Sequence, residues 1–226
     1  MTTPLARAHL ESLLRDRKLD VTLMSAAPCT RPPSPDDVAG TELPALDGSQ
    51  GGLRRGHLSE LVGNRSSGRT GLLCRIVAAA TARGELVALI DTHDRFDPAS
   101  AHAAGVDLTK LLWVRENGDV ARALKAMNLV LQAGGFGIVA MDLADARVVS
   151  LRTIPFTTWM RLARVIEGSQ TVALLVGTEH LARSPGGVTI ALDGCRGTQG
   201  DWTGAADRAR LLRGLTAHPR VIGGRR

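Results

Sequence analysis

Hydrophobic and polar residues follow two different periodic patterns between Gly51 and Asp193. Longer segments, with hydrophobic residues three or four positions apart, predict helices at Arg69–Ala82, Pro98–Ala104, Asp119–Gln132 and Leu151–Glu167. Short hydrophobic runs predict strands at Leu58–Val62, Leu86–Ile90, Leu111–Val114, Gly137–Met141, Thr171–Val176 and Val188–Leu192. Strands that alternate with helices predict an α/β domain, with a mainly parallel central sheet flanked by helices.

The first 24 residues have a pattern of their own. Residues 4–18 predict a helix with three leucines on one face and charged residues on the other. Residues 20–24 predict a short strand. The apolar side chains of this arm are candidates for contact with a partner, and they are Leu10, Leu13, Leu14, Val21 and Leu23.

The remaining segments flank the predicted core. Residues 25–50 are rich in Pro, Gly, Ser and Asp, which predicts a linker without a packed element. After Asp193 the pattern predicts a Gly-rich turn, a helix near 205–215 and a short strand at 220–222. The predicted organisation is an N-terminal arm of helix and strand (1–24), a linker (25–50), a core (51–193) and a basic C-terminal extension (194–226).

Composition limits the class of protein. Hydrophobic residues make up 44% of the 226-residue chain, which excludes wholesale disorder. No hydrophobic run reaches the roughly 18 residues of a membrane span, and residues 1–17 lack the hydrophobic block of a signal peptide. We therefore expect a cytoplasmic protein without a membrane partner. Cys29, Cys74 and Cys195 stand apart, which predicts reduced thiols and argues against a zinc site or disulfides.

Positive charge is concentrated at the C-terminus. The net charge is +6, and 25 of the 28 basic residues are arginine. Residues 203–226 contain six arginines and one acidic residue, Asp207. Contact with nucleic acid, contact with an acidic partner and a merely solvated end all explain this basic tail. Its arginines are Arg208, Arg210, Arg213, Arg220, Arg225 and Arg226.

One segment between a predicted strand and a predicted helix has the spacing of a phosphate-binding loop. Residues 63–70, GNRSSGRT, match G-x-x-x-x-G-K-[ST] except that Arg69 replaces the lysine. In such a loop, backbone N–H groups and the helix N-terminus hold an anion. A Gly/Ser turn without a ligand is the alternative. The candidate nucleotide-binding residues are Gly63, Ser66, Ser67, Gly68, Arg69 and Thr70.

An acidic residue further along the chain fits the same kind of site. Asp142 ends a predicted hydrophobic strand, where a carboxylate can lie beside a bound metal. If a magnesium nucleotide binds, Thr70 and Asp142 are the candidate metal ligands. Arg69 predicts altered positioning of phosphate, because a guanidinium is planar and longer than the ammonium of lysine.

Several segments, in the same order, resemble RecA-type recombinases. Residues 51–63, GGLRRGHLSELVG, resemble the approach to the RecA nucleotide loop. Residues 90–98, IDTHDRFDP, resemble the RecA segment that carries the catalytic glutamate, and residues 105–108 and 111–112 continue the similarity. The resemblance covers about residues 48–193 and implies a RecA-like P-loop core.

The chain departs from the RecA pattern where RecA handles its nucleotide. His93 stands at the position of the glutamate, and Ser100 at that of a tyrosine that stacks on adenine. Gly177-Thr178 replaces an amide pair that senses the terminal phosphate. A general base must reach the attacking water, and His93 lacks the charge of a carboxylate. The resemblance therefore implies weak or absent ATP hydrolysis, with ATP and magnesium bound weakly or not at all.

A small RecA-like chain with an altered nucleotide site and an arginine-rich end resembles ImuA, a family of accessory proteins of bacterial mutasomes. This resemblance implies a role in SOS-induced translesion DNA synthesis. The implied partners are ImuB, which is a catalytically inactive polymerase relative, RecA, and an error-prone DNA polymerase. The segments at 143–149 and 179–187 are short where RecA has DNA-binding loops, which argues against strand exchange.

The resemblance also suggests a use for the arm at residues 1–24. RecA subunits join when an N-terminal helix and strand dock on a neighbour's sheet, so this arm is a candidate for self-association or for binding to RecA. A helix folded back on its own core is the alternative. Two other functions stay open, a RecA-like ATPase of recombination or repair and a division inhibitor similar to SulA.

Overall fold

A central sheet of seven strands organises the part of the chain that the computed structural model describes, residues 37–182, 186–192, 198–204 and 210–222. All of these residues belong to one structural unit, Ser34–Arg226. Numbered in chain order, the strands of this sheet are β3 (Leu58–Gly63), β4 (Val87–Asp91), β5 (Leu111–Arg115), β6 (Ile138–Asp142), β7 (Val172–Gly177), β8 (Thr189–Leu192) and β11 (Arg220–Ile222).

Across the sheet the strands lie in the order β11, β8, β3, β7, β6, β4, β5. The six strands from β8 to β5 are parallel, and β11 at one edge is antiparallel to β8. Two smaller antiparallel pairs lie outside this sheet. They are β1 (Val38–Ala39) with β2 (Leu53–Arg54), and β9 (Thr198–Thr203) with β10 (Leu211–Ala217).

Helices cover both faces of the sheet, which confirms the predicted α/β architecture. In β4, Val87 and Leu89 join one buried cluster while Ala88 and Ile90 join the other, as the two-residue period of a strand requires. The helices are α1 (Pro44–Gln50), α2 (Arg69–Ala82), α3 (Pro98–Ala103), α4 (Val120–Ala133), α5 (Val148–Arg152) and α6 (Phe156–Ile166). The first cluster includes residues of α1 and α2, and the second includes residues of α4, α5 and α6.

Aspartates at the start of two helices fix where those helices begin. The Asp119 carboxylate accepts hydrogen bonds from the backbone N–H groups of Ala121 and Arg122, at 2.9 and 3.1 Å. Asp97 does the same in front of α3, where Pro98 occupies the first helical position. The predicted bounds of α2, α3 and α4 agree with the observed bounds to within one residue.

The helix predicted over Leu151–Glu167 is two helices. Pro155 separates α5, which ends at Arg152, from α6, which begins at Phe156. A proline lacks the N–H that a helix interior needs, and its ring clashes with the preceding turn. Pro155 has φ −60° and ψ 139°, an extended conformation that redirects the chain.

Residues 37–50, predicted as part of a linker, pack against the core. Leu43 and Leu46 are buried in the cluster that contains α2. The Asp47 carboxylate accepts hydrogen bonds from the Thr41 backbone N–H at 3.0 Å and from its hydroxyl at 2.7 Å, which fixes the entry to α1. A seven-residue helix carries too short a hydrophobic repeat to be distinguished from a linker by its pattern.

The helix predicted near 205–215 is contradicted where the structure describes that segment. Residues 211–217 form β10, which pairs with β9, while residues 205–209 lie outside the described part. Gly214 disfavours a helix, and it sits where the pairing register shifts. The strand predicted at 220–222 is confirmed as β11, so the sheet extends past the predicted core boundary at residue 193.

The predicted arm at residues 1–24, with its five apolar candidates, lies outside the described residues. Cys29 and Cys195 lie outside them as well, while Cys74 is a buried free thiol. None of the helices in the described part has the length and hydrophobicity needed to span a membrane.

Replacing Leu46 with alanine tests whether α1 belongs to the core. Because Leu46 is fully buried, we expect Leu46→Ala to lower the free energy of unfolding by about 2–5 kcal/mol in chemical denaturation. Leu129→Ala is the matched control, because Leu129 on α4 is 61% exposed, and its effect should stay within about 0.5 kcal/mol. Equally small effects would contradict the packing of α1.

Candidate functional site

Parallel strands bring several polar segments to one edge of the sheet. The carboxyl ends of β3, β4, β6, β7 and β8 lie together at this edge, where ligands bind in many α/β proteins. Asp91 at the end of β4 is the register partner of Asp142 at the end of β6. Val62 of β3 is the partner of Gly177 at the end of β7. The candidate site lies at this edge of the sheet, and residues 63–70 enter it from the end of β3.

The phosphate-binding loop (residues 63–70) contains two residues with left-handed backbone conformation. Gly68 has φ 87° and Ser66 has φ 60°. A glycine adopts this conformation without strain from a Cβ atom. The Ser67 N–H donates to the Asn64 carbonyl at 3.2 Å, which tightens the loop before α2 begins. A tight loop between a strand and a helix N-terminus presents backbone N–H groups to an anion.

Gly63 is a glycine because the space beside it is filled. A Cβ atom at position 63 would overlap the Ser67 side chain and would lie 3.0 Å from the Cβ atom of Leu192. Packing therefore accounts for the glycine at position 63.

Arg69, at the position of the usual lysine, points into the protein. Its residue exposure is 8%. The Nη1 group donates to the carbonyl of Gly63, at the end of β3, and to the carbonyl of Gly177 at 3.0 Å. Arg69 therefore links the start of the phosphate-binding loop to the end of β7.

The electrostatic environment of Arg69 is unusual for an arginine. Burial lowers the pKa of its guanidinium, and the negative charges of Asp142 and Asp145 oppose that change. Its Nε atom is buried and has no hydrogen-bond partner among the described residues. The lysine of a phosphate-binding loop extends toward phosphates, whereas here the hydrogen bonds of Nη1 go to backbone carbonyls.

A cavity of about 270 Å³ lies beside the loop and brings several candidate residues together. Ser66, Arg69, Thr70 and Asp142 of the predicted nucleotide site line it. Gly63, Ser67 and Gly68 are not among its lining residues. The sequence pattern did not predict that Arg65, Arg95, Asp91 and Asp145 also line this cavity. The charged lining residues are Arg65, Arg69, Arg95, Asp91, Asp142 and Asp145.

Asp142 carries the chemistry expected of a metal ligand. Burial raises its pKa, the nearby Asp91 and Asp145 raise it further, and Arg69 and the Ala144 N–H at 2.8 Å oppose the rise. Magnesium prefers carboxylate and hydroxyl oxygens. Thr70 and the partly buried Asp142 line one cavity, and they remain the candidate ligands of a magnesium ion that would accompany a phosphate.

Asp91 organises the segment that follows β4. Its buried carboxylate accepts hydrogen bonds from the backbone N–H groups of Arg95 and Phe96, at 2.9 and 2.8 Å. It also accepts one from Nε1 of Trp113 at 3.2 Å. An acid that directly follows four hydrophobic strand residues is a signal that could have identified this role. Asp91 therefore shapes one wall of the cavity.

His93 and Ser100 lie apart from this group of residues. Neither lines the 270 Å³ cavity. The His93 ring lies beside Gly118, and its Nδ1 atom is buried without a hydrogen-bond partner among the described residues. The Ser100 hydroxyl donates to the Asp97 carboxylate in the first turn of α3. The structure therefore does not bring His93 into the cavity that holds Thr70 and Asp142.

Glu60 connects β3 to the segment after β7. Its buried carboxylate accepts hydrogen bonds from the backbone N–H groups of Leu181 at 2.7 Å and Ala182 at 2.8 Å. His180 Nδ1 lies 3.4 Å from the same carboxylate. Glu60 therefore joins β3 to the segment that follows β7.

A second cavity, of about 520 Å³, lies on the other side of the phosphate-binding loop. Thr178 and Arg220 line it, because β11 pairs with β8 and places Arg220 opposite Ala191. None of its lining residues in the described part is acidic. They are Val62, Gly63, Asn64, Thr178, Ala191, Leu192 and Arg220.

Two of the six tail arginines have described side chains. Arg220 lines the second cavity, and the Arg210 guanidinium lies over the ring of Trp202 at 5.2 Å. The structure therefore places these two on different elements, one on the main sheet and one beside the β9–β10 pair. The others, Arg208, Arg225, Arg226 and the side chain of Arg213, lie outside the described part.

The chain is similar to known proteins over part of its length. The family model of the RecA N-terminal domain matches residues 39–152. Protein RecA of Chlorobium chlorochromatii (strain CaD3) is 35% identical over 99 residues, which cover 43% of this chain and 28% of that protein. Protein RecA of Streptomyces avermitilis is 35% identical over 121 residues, covering 52% of this chain and 32% of that protein.

The chain is also similar to another RecA protein and to one solved structure. Protein RecA of Deinococcus radiodurans is 38% identical over 93 residues, which cover 41% of this chain and 25% of that protein. The chain therefore spans about a third or less of each of these relatives. The crystal structure of the RadB recombinase aligns with a TM-score of 0.49 and 14% identity, over 69% of this chain and 83% of that one.

Replacing Asp142 with asparagine should stabilise the protein near neutral pH. Because burial raises the pKa of Asp142, this group favours folding below the ordinary aspartate pKa, and that contribution is lost as pH rises through the raised value. Thermal unfolding should therefore give a higher Tm for Asp142→Asn near neutral pH, with a difference that vanishes below about pH 4.

Asp145→Asn is the control for the Asp142 experiment, because Asp145 is an exposed carboxylate of the same cavity and pairs with Arg95 at 3.2 Å. Its Tm should change less across the same pH range. A lower Tm for Asp142→Asn near neutral pH would mean that attraction to Arg69 outweighs the cost of burial.

Proposed function

Because the chain belongs to the RecA N-terminal domain family, we propose that it is a RecA-like accessory protein that acts by binding partners, with little or no ATP hydrolysis. The observation that carries this proposal is the inward orientation of Arg69. Its Nη1 group is engaged by the carbonyls of Gly63 and Gly177.

The residues around position 93 support the same proposal. His93 lies outside the cavity that holds Thr70 and Asp142. The neighbouring carboxylate, Asp94, is paired with Arg115 through two hydrogen bonds of 2.7 Å. A general base must come within hydrogen-bond reach of the water that it activates. Neither His93 nor Asp94 lines that cavity, so we do not expect efficient activation of water there.

Binding of a nucleotide is a separate matter from its hydrolysis. The backbone of residues 66–69 would hold the phosphates of a magnesium nucleotide, and Thr70 and Asp142 would hold the metal ion. The bound group would supply a phosphate anhydride bond open to attack by water. The residues of this chain would orient the phosphates and neutralise their charge, with Arg65 and Arg95 as the outward-facing cations of the cavity.

The partners that we propose are an ImuB-like polymerase relative, RecA and an error-prone DNA polymerase, acting together in SOS-induced translesion synthesis in the cytoplasm at the nucleoid. The arm at residues 1–24 is the proposed contact with RecA or with a second copy. The sheet offers a complementary feature, because β5 is an edge strand whose described pairing is with β4 alone. Leu112 on β5 is exposed, as expected of a surface that accepts another strand.

A RecA-like ATPase of recombination or repair is the second candidate function. The phosphate-binding loop retains its glycines and its left-handed positions, and Thr70 and Asp142 line one cavity. These features favour nucleotide binding. An ATPase assay therefore separates the two functions.

Arg69→Lys alone should not restore ATP hydrolysis. The substitution frees the Gly63 and Gly177 carbonyls from the guanidinium, but His93 still supplies no carboxylate. We expect turnover of the purified variant to remain at the level of Thr70→Ala, which removes a candidate metal ligand. The double variant Arg69→Lys, His93→Glu reports whether both departures must be reversed. Robust, Asp142-dependent turnover in Arg69→Lys, or in the unmodified protein, would favour the ATPase.

Affinity capture from DNA-damaged cells tests the proposed partners. The full chain should recover the ImuB-like polymerase relative and RecA, identified by mass spectrometry. Removal of residues 1–24 should lose RecA, and Leu13→Asp should do the same without shortening the chain, because it places a charge on the apolar face of the predicted helix. Recovery of neither partner by the full chain would contradict the accessory role.

A further inference from the structure

A third cavity, of about 760 Å³, lies at the edge of the sheet opposite the phosphate-binding loop. Residues 84–86, 136–137 and 169–171 line it, and each of these segments leads into the amino end of a parallel strand, β4, β6 or β7. The carboxyl ends of the same strands lie at the candidate nucleotide site. The third cavity is therefore separate from the phosphate-binding loop.

Apolar side chains form one part of the lining of the third cavity. Leu131 on α4 is buried, and Phe136 is a partly buried neighbour in the same cluster. Leu86 is 49% exposed, although the residues of β4 that directly follow it are all buried. A half-exposed leucine in a cavity with other apolar side chains leaves apolar surface that a ligand can bury.

Two arginines share one carboxylate in the same lining. The Glu85 carboxylate accepts hydrogen bonds from Arg55 Nη2 at 2.7 Å and from Arg83 Nε at 3.0 Å. Burial opposes ionisation of Glu85, but the hydrogen bonds and positive charges of Arg83 and Arg55 lower its pKa overall. These three are the charged groups among the described residues that line the cavity, so one positive charge is left without an acidic counterpart there.

The end of α4 gives the third cavity hydrogen-bond acceptors as well. α4 ends at Ala133, and Gly134 and Gly135 follow it in the lining. The last carbonyls of a helix have no partner within the helix, and they accept hydrogen bonds from N–H donors. A fatty acid offers a carboxylate and an apolar chain but no such donor. A peptide offers a carboxylate, an apolar side chain and backbone N–H groups together.

We propose that the third cavity binds a short acidic segment of a partner protein, in which an apolar residue lies next to aspartate or glutamate. The apolar side chain contacts Leu86 and Phe136. The carboxylate pairs with Arg83, whose side chain is 33% exposed, so the charges of the two surfaces are complementary. This surface goes beyond the proposed function, which places partner contacts on the arm at residues 1–24 and on β5.

Selection from a random phage-displayed peptide library on the immobilised full chain tests the proposal. The recovered peptides should combine an apolar residue with adjacent acidic residues. The most enriched peptide, synthesised with a fluorescein label, is then the probe for fluorescence anisotropy. Leu86→Asp should weaken binding of this probe at least about tenfold, because it removes an apolar contact and sets a negative charge beside an acidic ligand.

Arg83→Gln should have a different signature. It should weaken binding of the labelled peptide at low ionic strength and reduce the dependence of binding on salt, because salt screens attraction between charges. Two controls make the same changes on exposed helix surfaces outside the lining. Leu129→Asp changes a 61% exposed leucine on α4, and Arg161→Gln removes an exposed arginine on α6. Both should bind the peptide as the unmodified chain does.

Thermal unfolding establishes that each variant is folded. Arg83 also lies at the end of α2, where a cation stabilises the helix. If Arg83→Gln does not fold for that reason, Leu86→Asp still decides the matter, because Leu86 is half-exposed.

The proposal is overturned if the selection recovers no acidic peptide, or if the labelled peptide binds Leu86→Asp as tightly as Leu129→Asp. Binding of decanoate that is as tight as that of the peptide, and that Leu86→Asp also weakens, would overturn it in favour of a fatty-acid ligand. The ATPase assay and the removal of residues 1–24 do not involve this cavity, so failure here is distinguishable from failure of the proposed function.

Discussion

One buried guanidinium links the two strand ends on which the candidate site is built. Arg69 donates hydrogen bonds to the carbonyls of Gly63 and Gly177, at the ends of β3 and β7. Hydrogen bonds from a charged donor are stronger than neutral ones, and an unsatisfied buried carbonyl is costly. The arginine thus stabilises the sheet edge from within. The same contacts engage its Nη1 group with backbone carbonyls.

The two sides of this link have different electrostatic character. Asp91, Asp142 and Asp145 lie on one side with three arginines, where they line one cavity. Arg220 lines the cavity on the other side. The candidate site is therefore flanked by two cavities, one lined by three aspartates and three arginines and the other by Arg220.

The elements of the sheet were predictable because each strand and each long helix repeats its hydrophobic pattern several times. Where a signal was short or local, prediction from the pattern failed. A seven-residue helix at Pro44–Gln50 looked like a linker, Pro155 divided one predicted helix into two, and Leu211–Ala217 proved to be a strand. In each case contacts with distant residues or one backbone constraint outweighed local propensity.

For the site, the sequence by itself determined the loop spacing, the replacement of lysine by Arg69, and the acid at the end of β6. Only the tertiary structure decided where those groups point. The contact of Arg69 with Gly177 joins residues 108 positions apart, and that of Glu60 with Leu181 joins residues 121 positions apart. Local patterns report on neighbours in the chain. The direction of a buried charge depends instead on which distant carbonyls, N–H groups and carboxylates the fold brings within hydrogen-bond reach.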